Sequence, residues 1–318
     1  MKQVWLLIGC IFILISACTG DKKRESSTHR AEQLQPVNLG VMTTMDGFPF
    51  VVAQRLSIYD SLGITVNLMH FDSPSDRDAA LQSGQIDGAI TDYPSTIMLQ
   101  VHQTPMGIIM RNNGYLCFVV SPSSGISNCK QLPTKNIAVS RNTVVEYATD
   151  LLLQKNSIST SEVNMPEIGQ IPIRLQMMQY GQIDASFLPD PYATMAMRGG
   201  YRSLISTREL GIEMTATAFT QKALNEKEEE IRLLVDGYNR AVTYLQKHPL
   251  KEWKQLLMEE TGIPEAMTGL LILPAYEPAA RASTQEIEKA IAWLKAKGRI
   301  SPNYQCTNLV DTTFITFK

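Results

Sequence analysis

Short apolar segments separated by polar turns dominate the first part of the chain, and their periodicity alternates between strand and helix. Alternating apolar and polar positions predict strands at residues 36–42, 64–70 and 85–90, and helical spacing predicts helices at 50–56 and 75–83. Strands and helices that follow one another at such short intervals form parallel strand pairs with right-handed crossovers. This part of the chain is therefore predicted to be an α/β unit.

The same succession of elements occurs a second time. A strand is predicted at residues 135–139, a helix at 144–154, and a further helical segment at 172–180 leads into a strand at 181–188. A second α/β unit is therefore expected after the first.

The two units share a motif. Residues 84–88 read GQIDG and residues 181–185 read GQIDA, and a polar DYPST or DPYAT segment follows each of them. Asp87 and Asp184, which we place inside the third strand of each unit, are expected to bond the backbone rather than a ligand. An internal repeat of this kind indicates two similar units in tandem.

Two extended runs, at residues 115–120 and 214–219, flank the second unit and are predicted to be crossover strands between two domains. The predicted fold is two Rossmann-like α/β domains joined by these strands, with a ligand cleft between them. We expect domain 1 to combine residues 36–114 with about 219–318, including the C-terminal helices. Domain 2 is expected at about 115–218.

The N-terminus has the pattern of an export signal. Lys2 precedes an apolar run at residues 4–17, which spans about 21 Å as a helix and is too short to cross a hydrocarbon core of roughly 30 Å. Its end, Ile-Ser-Ala before Cys18, resembles the bacterial lipobox. We expect residues 1–17 to be a signal peptide, Cys18 to be lipidated, and 18–35 to be a flexible tether. The alternative is a plain signal peptide with an incidental cysteine.

Composition excludes several classes of protein. With 44% hydrophobic residues, 19% charged residues and a net charge of −2, the 318-residue chain is typical of a globular protein and lacks the basic surface of a nucleic-acid binder. No catalytic, cofactor-binding or metal-binding motif is present, so we expect no enzyme activity, cofactor or metal site. We also expect a monomer.

Cys117 is predicted to be buried and inert, and a disulfide between Cys129 and Cys306 is left open.

Polar residues follow the predicted strands, where α/β sheets bind their ligands. The segment 140–143 precedes a helix, so it can bind an anion or a polar heterocycle, or simply cap that helix. The loop aspartates are the better ligand candidates, and the tyrosines can stack on a flat ligand or pack the hinge. The candidate binding residues are Thr43, Thr44, Met45, Asp46, Phe48, Asp92, Tyr93, Ser140, Arg141, Asn142, Thr143, Asp190 and Tyr192.

Several segments resemble a known family. Residues 79–89, 181–185, 188–193 and 137–143 are similar to the type II periplasmic solute-binding proteins of ABC importers, among them the nitrate, sulfonate and taurine binders and the thiamine-pyrimidine-precursor binders. The resemblance runs from about Val37 to about residue 249. It implies closure of two domains over a small solute, delivery to a membrane permease with its ATPase, and a location on the periplasmic or outer face of a bacterial membrane.

The charge of the expected cleft bears on the solute. Three aspartates face one candidate cation, Arg141, and a carboxylate cluster repels an anion. This favours a neutral or amine-bearing heterocycle such as a thiamine-precursor pyrimidine; the alternative is a sulfonate, taurine or nitrate binder. A different class of protein, a pyrimidine-synthase-like enzyme or a ligand sensor of the same fold, also remains open, although the cysteine-rich motif of those synthases is absent.

Overall fold

The computed structural model describes residues 34–306 and 308–315, in which strands form two separate sheets. The signal peptide, Cys18 and nearly all of the tether lie outside the described residues. The strands are β1 (Val37–Met42), β2 (Val66–Phe71), β3 (Gly88–Asp92), β4 (Met106–Arg111), β5 (Leu116–Val120), β6 (Ile137–Ala138), β7 (Ala185–Pro189), β8 (Arg202–Ser206) and β9 (Thr215–Thr220).

Helices cover the faces of both sheets. They are α1 (Phe48–Arg55), α2 (Ile58–Ser61), α3 (Pro74–Gln82), α4 (Tyr93–Val101), α5 (Val144–Lys155), α6 (Ile171–Gln179), α7 (Tyr192–Arg198), α8 (Gln221–Glu226), α9 (Glu228–Lys247), α10 (Leu250–Thr261), α11 (Glu265–Thr268) and α12 (Thr284–Ala296). Among the described residues, none of these helices combines the length and the apolar character that a membrane crossing needs.

The first sheet has the order β2-β1-β3-β9-β4. β1 pairs in parallel with β2 and β3, whereas β9 is antiparallel to β3 and β4. The parallel part agrees with the crossovers expected from the first strand–helix succession. β9 enters the sheet from the opposite direction because the chain returns to it from the second sheet.

The second sheet has the order β6-β7-β5-β8, with β6 parallel to β7 and β5 antiparallel to both its neighbours. The chain passes between the sheets at residues 112–115 and again at 207–214. These crossings come directly before the two runs predicted to be crossover strands, which instead form β5 in the second sheet and β9 in the first. The exact division into two domains stays a prediction.

The repeated aspartates make equivalent backbone contacts. Asp87 accepts a hydrogen bond from the Asn38 backbone N–H at 2.7 Å, and Asp184 accepts one from the Asn136 backbone N–H at 2.8 Å. In return, each aspartate N–H donates to the carbonyl of the same asparagine. Both aspartates therefore have the structural role that we predicted. They lie one residue before β3 and β7 rather than inside them, because the chain still bends where the carboxylates take these bonds.

The glycine of each motif is also structural. Gly84 and Gly181 have φ values of +74° and +70°, in the left-handed region where a side chain is costly. They turn the chain out of α3 and α6 toward the following strand. The GQID motif therefore encodes the turn from helix to strand in both halves of the chain.

A C-terminal segment at residues 270–280, which we call the strap, contacts both sheets. Next to the first sheet, the Arg111 N–H donates to the Ala280 carbonyl, and the Arg111 side chain pairs with Glu277 at 2.9 Å. Next to the second sheet, the Ile272 N–H donates to Asp190 at 2.8 Å. The strap thus provides a third connection beside the two crossing segments.

The cysteine predictions concern the second sheet and the C-terminus. Cys117 is buried in β5, as expected, and burial raises the pKa of its thiol. Cys129 and Cys306 are both free thiols in the structure, so the disulfide left open by the sequence is not formed.

Candidate functional site

The two sheets meet at a cavity of about 80 Å³. Met42, Asp92 and Pro189 end β1, β3 and β7 at this place, and Leu116 and Thr215 begin the antiparallel strands β5 and β9 there. The first turns of α3, α5 and α6 complete the wall. Because a cavity of roughly 10–15 Å³ holds one water molecule, this space can take a small solute.

The thirteen predicted binding residues fall into four groups. Thr44, Asp46, Asp92 and Thr143 line the cavity. Met45 and Asp190 line a space of about 10 Å³ beside the cavity. Ser140, Arg141 and Asn142 line a separate groove of about 480 Å³, which shares Thr143 with the cavity. The last four residues line none of these three spaces: Thr43, Phe48, Tyr93 and Tyr192.

The three loop aspartates are already engaged by the protein. Asp46 is buried and accepts a hydrogen bond from the Thr44 hydroxyl at 2.6 Å; burial raises the pKa of its carboxyl. Asp92 caps α4 by accepting the Ser95 N–H at 2.9 Å, and burial raises its pKa to about 6. Asp190 accepts the Thr194 N–H at 2.9 Å as well as the strap N–H. Helix capping and backbone bonding thus account for much of what these carboxylates do.

The segment 140–143 is also held by local contacts. Thr143 caps α5, since its hydroxyl accepts the Val145 N–H at 3.1 Å. Arg141 pairs with the buried Glu146 at 2.9 Å, and Glu146 is also 2.8 Å from Lys297. Burial alone would raise the pKa of Glu146, but the hydrogen bonds from Lys297, the Asn142 N–H and Arg141 bring it below its ordinary value. Arg141 is therefore a partnered side chain at the groove.

The aromatic candidates pack against the protein. Phe48 lies in the core with its ring centroid 5.7 Å from that of Trp253, and Tyr93 is buried with its hydroxyl accepting the Ser283 N–H at 3.3 Å. Tyr192 is half-buried at the start of α7. Each of the three is the first residue of its helix, α1, α4 or α7, and contributes packing there.

Two arginines that sequence reasoning missed line the cavity. Arg77 in α3 and Arg174 in α6 are 2% and 1% exposed. Their Nη1 atoms donate to equivalent carbonyls, Arg77 to Ile90 at 3.3 Å and Arg174 to Phe187 at 3.1 Å. The repeat contained the signal, because each arginine stands seven residues before the glycine of its GQID motif.

The missed arginines change the charge of the site. The lining includes two aspartates, Asp46 and Asp92, and two guanidinium groups, whereas the sequence suggested three aspartates against Arg141 alone. A cavity with apolar walls and a few convergent polar groups is typical of a small-molecule site.

Comparison with known proteins gives the family. The model of the NMT1/THI5-like family matches residues 45–252, and the chain belongs to this family. No curated protein matches the sequence significantly. Family membership confirms the resemblance that the sequence indicated.

Solved structures show the same fold. The alkanesulfonate-binding protein SsuA from Xanthomonas axonopodis pv. citri bound to MOPS has a TM-score of 0.70 at 18% identity, over 85% of this chain and 94% of that chain. The periplasmic nitrate-binding protein NrtA from Synechocystis PCC 6803 reaches 0.75 at 12% identity, over 85% and 83%. The ligand-binding component of an ABC-type import system from Staphylococcus aureus, with zinc bound, reaches 0.74 at 12% identity, over 88% and 97%. The predicted periplasmic binding protein fold is confirmed.

Proposed function

We propose that this chain is the extracytoplasmic solute-binding component of an ABC importer and that it binds one small solute in the cavity between its sheets. The observation that carries the proposal is the shared lining of that cavity, to which strand ends of both sheets contribute. A solute held there contacts both halves of the chain at once, so its binding favours the closed arrangement. Similarity to proteins described as nitrate-binding, alkanesulfonate-binding and ABC import components supports the same role.

The pyrimidine proposed from the sequence stays a candidate solute, although its original argument is weaker. That argument required unpaired aspartates in the cleft, and the backbone contacts of Asp92 and Asp190 satisfy much of their bonding capacity. A pyrimidine therefore belongs in the test beside sulfonates, taurine and nitrate.

The position of the protein in the cell is part of the proposal. We place the mature N-terminus at Cys18, lipidated and anchored to a membrane, with residues 18–35 as a tether that leaves the binding unit free to reach its permease. Two or more acyl chains make such an anchor durable. We further propose that the protein acts as a monomer.

A solute screen tests the proposal. Full-length protein in detergent is heated with aminopyrimidines, thiamine, taurine, alkanesulfonates, short carboxylates and nitrate, each in separate wells. A ligand at 100 times its Kd stabilises the folded state by about 2.7 kcal/mol, which raises the Tm by several degrees. Small-angle X-ray scattering with the best ligand should then show a smaller radius of gyration. Chemical conversion of the ligand during incubation, followed by mass spectrometry, would instead favour the enzyme of the same fold.

A further inference from the structure

The N-terminus of α6 is bonded to the other half of the chain. The Ile171 N–H, the first of α6, donates to the Asp72 carbonyl at 3.1 Å, and Asp72 directly follows β2. β2 belongs to the first sheet, whereas α6 leads into β7 of the second sheet. This main-chain hydrogen bond therefore joins the two halves at a place separate from both crossing segments and from the strap.

The repeat shows why α6 makes this bond. Its counterpart α3 begins at Pro74, which has no N–H, and the Ser73 hydroxyl caps α3 by accepting the Asp76 N–H at 3.2 Å. α6 begins at Ile171 instead, and the preceding Gln170 makes no side-chain cap. The first N–H groups of a helix have no partner within the helix. The first half thus caps its own helix, whereas α6 takes its cap from a carbonyl of the other half.

The segments on either side of this bond also pack together. Gly169 lies so close to the first half that a Cβ on it would be 3.5 Å from the Ser73 Cβ. Phe71 packs against an apolar cluster to which the second half contributes most of the residues. We call residues 71–73 and 169–171 together the latch, because they meet through both main-chain and side-chain contacts.

The latch adjoins the wall of the cavity on both sides. Pro74 directly follows its first segment, Ile171 ends its second segment, and both residues line the cavity. The separation of these two walls is therefore fixed while the hydrogen bond is made. Donor and acceptor both belong to the main chain, so the latch contributes to closure whatever solute the cavity binds.

We propose that the latch is a closing device built into the fold. α6 obtains its cap only when the halves are closed, so the chain favours closure before a solute adds its own contacts. The inference takes the closure of two halves from the proposed function and does not depend on the class of solute. One hydrogen bond contributes about 1 kcal/mol, so its loss should raise the ratio of open to closed molecules about fivefold.

A cross-link tests whether the latch closes in solution. The Cβ spacing of 3.5 Å between positions 73 and 169 fits a disulfide, which needs about 3.5–4.5 Å. We expect the full-length double variant Ser73→Cys with Gly169→Cys, mildly oxidised without added solute, to give the 73–169 disulfide as its main product in peptide mass spectrometry. The native thiols Cys129 and Cys306 are the competing partners. Oxidation that leaves positions 73 and 169 reduced, or joins them mainly to native thiols, would overturn the latch.

The labelling rate at position 73 tests the hydrogen bond itself. Ser73 is 2% exposed, so the thiol of Ser73→Cys should react with iodoacetamide only when the latch opens. In that background Ile171→Pro removes the N–H, as Pro74 does in α3, whereas the matched control Ile171→Ala shortens the side chain and keeps the N–H. We expect labelling about fivefold faster with Ile171→Pro than with Ile171→Ala. The rate at Cys117, which is buried in β5, should be the same in both variants.

Two results would contradict the role of the bond. Equal labelling rates at position 73 in the two variants overturn it, and so does faster labelling that extends to Cys117, since the second sheet itself would then be opening. The solute screen tests the proposed function separately. If the cross-link and the labelling rates are as expected and no solute of any class binds, the proposed function fails and the latch stands.

Discussion

Asp92 is the group through which we expect stability to depend most clearly on pH. The carboxyl is buried, with 4% of the residue exposed, and its Oδ1 accepts the Ser95 N–H at the start of α4. Asp92→Asn removes the charge and keeps a side-chain oxygen that caps a helix as well as aspartate does. The substitution therefore separates the cost of the buried charge from the benefit of the cap.

The size of the effect follows from the raised pKa. Burial moves the pKa of Asp92 from 3.8 to about 6, which corresponds to about 3 kcal/mol. Well below pH 3.8 the carboxyl is protonated in both the folded and the unfolded state, so the charge costs nothing. Above pH 6 both states are ionised and the folded state bears the whole cost. The free energy of unfolding of the native protein should thus fall between pH 4 and pH 6 relative to that of Asp92→Asn.

Urea denaturation at pH 4, 5, 6 and 8 measures this difference. Asp92→Asn should be close to the native protein at pH 4 and more stable by about 3 kcal/mol at pH 8. Asp92→Ala, the matched variant without a cap, should be about 1 kcal/mol less stable than Asp92→Asn at every pH. A difference between Asp92→Asn and the native protein that stays constant from pH 4 to pH 8 would refute the reasoning.

Three further predictions concern other parts of the chain. Asp184→Ala should lower the free energy of unfolding by about 1–3 kcal/mol in urea and leave solute preference unchanged, because the carboxylate bonds the Asn136 backbone; a changed preference with unchanged stability would contradict this. Glu146→Gln should lower the free energy of unfolding in urea by about 2 kcal/mol at neutral pH. The loss should be smallest at low pH, because the pKa of Glu146 is lowered in the folded state and its charge therefore stabilises the fold only where the carboxyl is ionised. Cys18→Ala should abolish incorporation of an alkyne-labelled fatty acid in cells, whereas Cys129→Ala should leave it intact; labelling that survives Cys18→Ala would exclude the anchor.

The fold could be predicted from the sequence because local signals agreed with one another. The predicted strands and helices of the two units have a clear periodicity, whereas β4, β8, α4 and α7 were not predicted. The GQID motif specifies the same turn twice, through Gly84 and Gly181 and through the backbone bonds of Asp87 and Asp184. Predicted bounds differ from the observed ones by a few residues. β7 begins four residues later than expected, because the GQID turn precedes it, and β6 has two residues where five were expected, since the neighbouring positions pair only through isolated bridges.

The site was only partly predictable, since strand order says where ligands bind but not which side chains are free. The loops after the strands do lie at the cavity. Asp190 and Arg141 each have a local partner. Each also has a partner from a distant part of the chain, Ile272 in the strap for Asp190 and Met165 for Arg141, which no local pattern reveals. Arg174 was missed for the opposite reason: an arginine in a helix is normally solvent-exposed, and only tertiary packing buries this one.

The strap has a consequence for how the halves of the chain can move. Two crossing segments alone would allow the two sheets both to bend and to twist relative to each other. The strap is a third attachment, from Arg111 beside the first sheet to Asp190 beside the second, and we expect it to resist twisting of one sheet against the other. If the two halves close over a solute as proposed, the restricted twist keeps the same strand ends facing each other.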